Sequence, residues 1–173
     1  MSFFALEKSS KHILWGLALS MIFAGLSHAA EVFPSFSSQS SKGEAVTDAI
    51  FADSKLTVVN IWTTWCPPCR EEMPDLGHLG RTMPEGSRLV GLILDADDSG
   101  ALEEAEGILT RAKADFLQIL PVQEMASVLK EVTAIPTTIF VDSQGRIVGV
   151  PLDGSRSEEA YRTEIEKILA SMP

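Results

Sequence analysis

Apolar residues are spaced along this chain in distinct rhythms, and each rhythm predicts an element. Leu56-Thr57-Val58-Val59-Asn60-Ile61-Trp62 is apolar and β-branched, which predicts a buried strand over about 57–62. A helix follows from Arg70 to about Arg81, with Met73, Leu76 and Leu79 as its apolar face and a kink expected at Pro74. Arg88 to Leu94 is a second apolar strand, ending at Asp95-Ala96-Asp97-Asp98. Leu102, Ala105, Ile108, Leu109 and Ala112 keep helical spacing, with Asp98 or Ser99 placed to cap that helix. Pro121 starts a further helix carrying Met125, Val128 and Leu129. Thr137 to Asp142 is a strand, Ser143-Gln144-Gly145 a turn, and Arg146 to Val150 its hairpin partner. Ser155 to about Ala170 closes the chain as an amphipathic helix with Tyr161, Ile165, Ile168 and Leu169 inward. The order β-α-β-α-α-β-β-α predicts an α/β fold: a central mixed sheet, parallel then antiparallel, with helices on both faces. Glu31 to Lys55 is rich in Ser and poorly patterned, with Phe33, Phe36 and Phe51 as core anchors and room for a short edge strand.

The first 29 residues obey another pattern. Lys8 and Lys11 precede the uncharged run Ile13–Leu26, which Ser27-His28-Ala29 ends with small residues at the positions a signal peptidase reads. This is the order of a secretory signal peptide, with cleavage expected after Ala29. The run has 14 residues, against about 20 for a bilayer span; an uncleaved N-terminal anchor is the alternative. Either reading places the folded part outside the cytoplasm, periplasmic in a bacterium with two membranes. Removing residues 1–29 from the 173 leaves 144, one domain over 30–173. That domain has 12 Lys and Arg against 23 Asp and Glu, a net charge of −11. Such a surface argues against nucleic acid and anionic lipid as partners. Membrane association is expected only through a retained N-terminal segment, and the domain is read as a monomer.

Cys66 and Cys69 are the only cysteines, and they stand together in Trp65-Cys66-Pro67-Pro68-Cys69. A pair closing so short a loop constrains the unfolded chain little, so a purely stabilising disulfide is disfavoured. Zinc would need two further ligands, and after residue 29 the chain offers only His78 besides carboxylates. Asp95, Asp97 and Asp98 read as loop and capping residues rather than a calcium site, and no metal or other cofactor is expected. A Cys-x-x-Cys at a strand-to-helix junction puts the first sulfur at a helix N-terminus, where free N–H groups and the helix dipole favour a thiolate. The expected chemistry is dithiol–disulfide exchange. Cys66, exposed at the N-cap, is the expected nucleophile, and Cys69, buried one turn in, the resolving thiol. Pro67 and Pro68 rigidify the first turn but remove two donors. The sulfur is left with the Cys69 and Arg70 amides, so a moderately lowered Cys66 pKa is expected. Trp65 is read as covering one side of the pair, or alternatively as an ordinary core aromatic.

The stretch Val58 to Pro74, with Trp65-Cys66-Pro67-Pro68-Cys69 at its centre, resembles the active-site segment of the TlpA/ResA-like branch of the thioredoxin superfamily. Val132-Thr133-Ala134-Ile135-Pro136-Thr137 resembles that family's second signature, and the two motifs are in the family's order over about 50–173. The resemblance implies a thioredoxin fold and a cis Ile135–Pro136 bond packed against the cysteines, leaving the Ile135 backbone free to pair with an extended substrate. Without it, Pro136 reads as a strand-start proline. Thioredoxins proper carry a buried Asp where this chain has Asn60. ResA-like proteins carry a Glu three residues after the second cysteine, here Glu72, which is implied to assist Cys69. As a residue alone, Glu72 reads equally as a solvated helix carboxylate like Glu71.

The resemblance implies an extracytoplasmic thiol–disulfide oxidoreductase that reduces specific partner proteins of the cytochrome c or copper/oxidase maturation type. It also implies a membrane thiol reductase as electron donor. The cytochrome-maturation branch often has an acidic residue after the cis-proline; this chain has Thr137. Two alternatives stand beside the reductant. One is a disulfide-donating oxidase or isomerase, against which the short Gly91–Ile135 connection argues. The other is a copper chaperone using both thiolates as soft ligands.

Overall fold

The computed structural model describes residues 31–173; the expected signal peptide or anchor falls on residues outside them. Among the described residues no helix is long and apolar enough to cross a membrane.

Strand β3 (Leu56–Trp62) is buried at every position, as its unbroken apolar run requires of a strand covered on both faces. It lies at the centre of a five-stranded sheet of order β5-β4-β3-β6-β7, with β4 Ser87–Ile93, β5 Leu117–Ile119, β6 Thr137–Asp142 and β7 Ile147–Asp153. β4 and β5 continue parallel to β3 on one side, while β6 and β7 run antiparallel on the other. This is the α/β architecture with a mixed sheet that the pattern predicts, and the thioredoxin-type arrangement that the resemblance implies. Alternation along β3 divides the core. Leu56, Val58 and Trp62 face helices α1 (Pro67–Arg81) and α4 (Glu158–Ser171), packing with Met73, Leu76, Phe140, Tyr161 and Ile165. Val59 and Ile61 face the other way, onto Val90, Leu92, Met125 and an edge-to-face cluster of Phe33, Phe36 and Phe51. The three phenylalanines are the anchors expected of the N-terminal segment.

Several elements depart from expectation. The N-terminal segment forms its own antiparallel pair, β1 (Ser37–Gln39) with β2 (Ala45–Thr47), and meets the edges of the main sheet only by single bridges, Val32 with Arg146 and Ser40 with Ile119 of β5. β5 was not foreseen: three residues within the short apolar run Phe116–Leu120 carry too little periodicity to announce a strand. The helix expected from Pro121 is a 3₁₀ turn, Gln123–Met125, running into a single α-turn, α3 (Ala126–Leu129). Pro74, where a kink is expected, lies inside α1 and does not end it. α2 (Ala101–Ala112) is capped neither by Asp98 nor by Ser99: Gly100 holds the N-cap with φ 80°, a conformation glycine adopts without steric cost. The close packing of β4 against β5 depends on Gly91. A Cβ there would lie 2.0 Å from Oε1 of buried Gln118, the oxygen that accepts the indole N–H of Trp62 at 3.0 Å.

Candidate active site

β3 delivers the chain to its carboxyl end, where Thr63 and Thr64 are buried before the helix begins. The turn is held by Asp95, from the end of β4. Its buried carboxylate accepts the backbone N–H of Thr64 (3.0 and 3.2 Å to the two oxygens) and the Thr64 hydroxyl. Arg70 donates to the Thr64 carbonyl at 3.3 Å and pairs with Glu104 of α2 at 2.9 Å. Asp95 lies in the loop expected of it, and from there it clamps the turn before Cys66.

Cys66 occupies the N-cap of α1, with Pro67 and Pro68 in the first two helical positions. Cys66 and Cys69 are joined as a disulfide with a Cα–Cα distance of 5.3 Å. The prolines leave the Cys69 amide as the first N–H of the helix, and it donates to Cys66 Sγ at 3.2 Å. The Arg70 amide, also expected on the sulfur, donates instead to the Cys66 carbonyl at 3.2 Å in ordinary helix geometry. Cys66 is 3 % exposed, against the open position expected, and Cys69 is fully buried. Trp65 is 64 % exposed, so it is not a core aromatic. Cover over Cys66 comes from the loop that leads into β6, whose Ile135 packs on the same core face. The Ile135–Pro136 bond is cis, and the Ile135 carbonyl oxygen lies 3.6 Å from Cys66 Sγ. That loop is tied down in turn. Gly154 N–H donates to the Pro136 carbonyl at 2.7 Å, and Thr137 Oγ1 lies 2.7 Å from the Ala134 carbonyl and 3.0 Å from the Asp153 carboxylate.

Glu72 is not a solvated carboxylate: at 4 % exposure it points into the core on the face that α1 and α4 share. Asn60 Nδ2 donates to its Oε1 at 3.0 Å, while Tyr161 O–H (2.9 Å) and Arg156 N–H (3.0 Å) donate to its Oε2. Burial pushes the Glu72 carboxyl above the ordinary range, opposed by these three donors and by the Arg156 guanidinium. The Tyr161 phenol is pushed up too, by burial first and by the Glu72 charge second. Glu72 lies three residues after Cys69, the spacing of neighbours on one helix face. The predicted residues Trp65, Cys66, Pro67, Pro68, Cys69, Glu72, Ile135 and Pro136 thus gather at one end of the sheet. Sequence reasoning missed Asp95, Thr64, Thr138, Tyr161 and Arg156. The available signal was the chain's single tyrosine, polar-tipped yet placed on the inward face of the last helix. His78 lies elsewhere, on the helix face expected, 2.6 Å from Glu158. Among the described residues no cluster of three or more His, Cys, Asp or Glu could hold a metal ion.

A buried cysteine pair at a helix N-terminus, with an amide on the first sulfur and a buried carboxylate three residues after the second, is suited to dithiol–disulfide exchange. The comparisons agree with this chemistry. Residues 28–169 match the Redoxin family. The thiol:disulfide interchange protein HelX of Rhodobacter capsulatus is 34 % identical over 127 residues, which are 72 % of this chain and 66 % of that protein. A DsbE homologue from Paracoccus denitrificans is 31 % identical over 73 % of this chain and 68 % of its own length. The chain thus spans about two thirds of these relatives. The crystal structure of a thiol:disulfide interchange protein of the thioredoxin family from Chlorobium tepidum superposes with a TM-score of 0.67 at 25 % identity. The match covers 81 % of this chain and 97 % of that one. With the match running over most of the chain and both active-site motifs in place, this protein belongs to the Redoxin family, in its TlpA/ResA-like thioredoxin branch.

Proposed function

We propose that this chain, a thiol–disulfide oxidoreductase, works outside the cytoplasm as a reductant of disulfides in particular partner proteins. The observation that carries the reading is the Cys66–Cys69 pair, with one amide on the outer sulfur and the Ile135–Pro136 loop against it. In the reduced protein, the Cys66 thiolate attacks one sulfur of a substrate disulfide; that bond breaks and the second substrate sulfur leaves as a thiolate. Glu72 takes the proton of Cys69, whose thiolate attacks Cys66. The Cys66–substrate bond breaks as the Cys66–Cys69 bond forms, and the substrate has gained two electrons. The Ile135 backbone, beside Cys66, is the edge on which an extended substrate segment would lie, with exposed Trp65 as its outer wall.

A reducing direction fits the loss of two N-terminal donors to proline, which moderates thiolate stabilisation. The short β4–β6 connection leaves no inserted helical domain of the kind disulfide donors carry. The charged, apolar and small-residue order of residues 1–29 supports export, with a membrane thiol reductase as electron source. Partners of the cytochrome c or copper/oxidase maturation type are the substrate class proposed. The test is the reduction potential of the pair, obtained by equilibrating the protein in glutathione and dithiothreitol buffers. A value below about −220 mV supports the reductant, whereas one near −120 mV makes the protein a disulfide donor and overturns the reading.

A further inference from the structure

Three side chains from three elements close a hydrogen-bonded ring with Glu72 of α1. Asn60 of β3 and Thr138 of β6 are directly paired across the strands, and both point to the α1/α4 face. Asn60 Nδ2 reaches Glu72 Oε1 at 3.0 Å and Thr138 Oγ1 at 3.1 Å; Thr138 Oγ1 is 3.2 Å from Tyr161 Oη, and Tyr161 Oη is 2.9 Å from Glu72 Oε2. All four residues are buried. The donors fix the direction of every bond. The carboxamide gives one hydrogen to Glu72 and one to Thr138, so Thr138 must give its own to Tyr161, and Tyr161 must give its own to Glu72. Both paths end on the carboxylate.

We propose that Tyr161 and Thr138 are positioning residues of the exchange reaction: with Asn60 they form a one-directional hydrogen-bond ring that holds Glu72 ionised, oriented and ready to accept the proton of Cys69. This rests on the reading of Glu72 as the base for Cys69. One polar atom of the ring is left over: Asn60 Oδ1 is buried without a partner, and the carboxamide is held in this orientation by the two bonds its Nδ2 donates. The other charged group facing Glu72 is Arg156, from the turn before α4, and Cys69 lies one turn back on its own helix.

The test uses Tyr161→Phe, Thr138→Val and Thr138→Ser in the full chain. The Glu72 carboxyl carbon is titrated by NMR. The release of a coloured thiolate from a mixed disulfide on Cys66, which reports the Cys69 step, is followed against pH. Removing the phenol hydroxyl takes one donor from the carboxylate. The Glu72 titration and the lower inflection of the rate profile should both rise by about one pH unit in Tyr161→Phe. Thr138→Val should shift both in the same direction by less, and Thr138→Ser should restore them. Unchanged titrations in the Phe and Val variants overturn the proposal. If Tyr161→Phe does not fold, the Val/Ser pair decides by itself. Glu72→Gln separates the two readings. If it abolishes the inflection while Tyr161→Phe leaves it in place, the ring falls and the base stands; if it leaves the inflection untouched, both fall.

Discussion

Two buried carboxylates flank the redox pair, and they differ in what surrounds them. Asp95, in front of Cys66, spends both oxygens on one neighbour, the backbone and hydroxyl of Thr64, within a turn that has nowhere else to go. Glu72, behind Cys69, is suspended between donors from β3, from α4 and from the turn before α4. Burial raises its proton affinity while those donors restrain it. A carboxylate bound to a single rigid segment fixes geometry. One shared among several elements is oriented by all of them, with burial and its donors pulling its proton affinity in opposite directions. The same functional group is thus a clamp on one side of the disulfide and, in the function proposed, a proton acceptor on the other.

The contrast breaks most visibly on removal of the clamp. Asp95→Ala leaves the Thr64 amide and hydroxyl buried without partners, and urea unfolding should show a loss of about 3 kcal/mol. The pH profile of the folded variant should keep its shape. If stability is unchanged, Asp95 is no clamp. Glu72→Gln should do the reverse: the Cys69 step slows about a hundredfold at neutral pH and loses its lower inflection, because a positioned base has gone. The third effect is on stability against pH. A carboxyl whose folded pKa is raised holds its proton more tightly folded than unfolded. Its contribution is therefore present below the ordinary carboxylate value and is lost as pH rises through the raised one. Relative to the parent chain, Glu72→Gln should gain stability from pH 4.5 upward, as measured by denaturation midpoints. The smallest effect belongs outside both environments. Trp65→Ala, at an exposed site, should change stability by less than about 0.5 kcal/mol while weakening exchange with protein substrates. A larger loss of stability would place the indole in the core.

The redox motif was legible because its determinants are contiguous in the chain. Cys66, the two prolines and Cys69 stand within four residues, and N-cap geometry follows from a strand that ends where a helix begins. The central strands were legible because their apolar runs are long. β5 was not, since a three-residue edge strand has no period to detect, nor was the single α-turn after Pro121. The shallow burial expected of Cys66 failed because its cover comes from Ile135, 69 residues away.

The sequence by itself determined the dithiol, the α/β order of elements and the inward face of the longer helices. These depend on local spacing and on the hydrophobic period, which neighbouring residues encode. Only the tertiary structure decided that Glu72 is buried and that Asn60, Thr138 and Tyr161 converge on it. Those partners stand 12, 78 and 89 residues apart in the pairs that make the ring. Strand register and helix docking set a carboxyl group's solvation and its donors, and no short-range pattern records either.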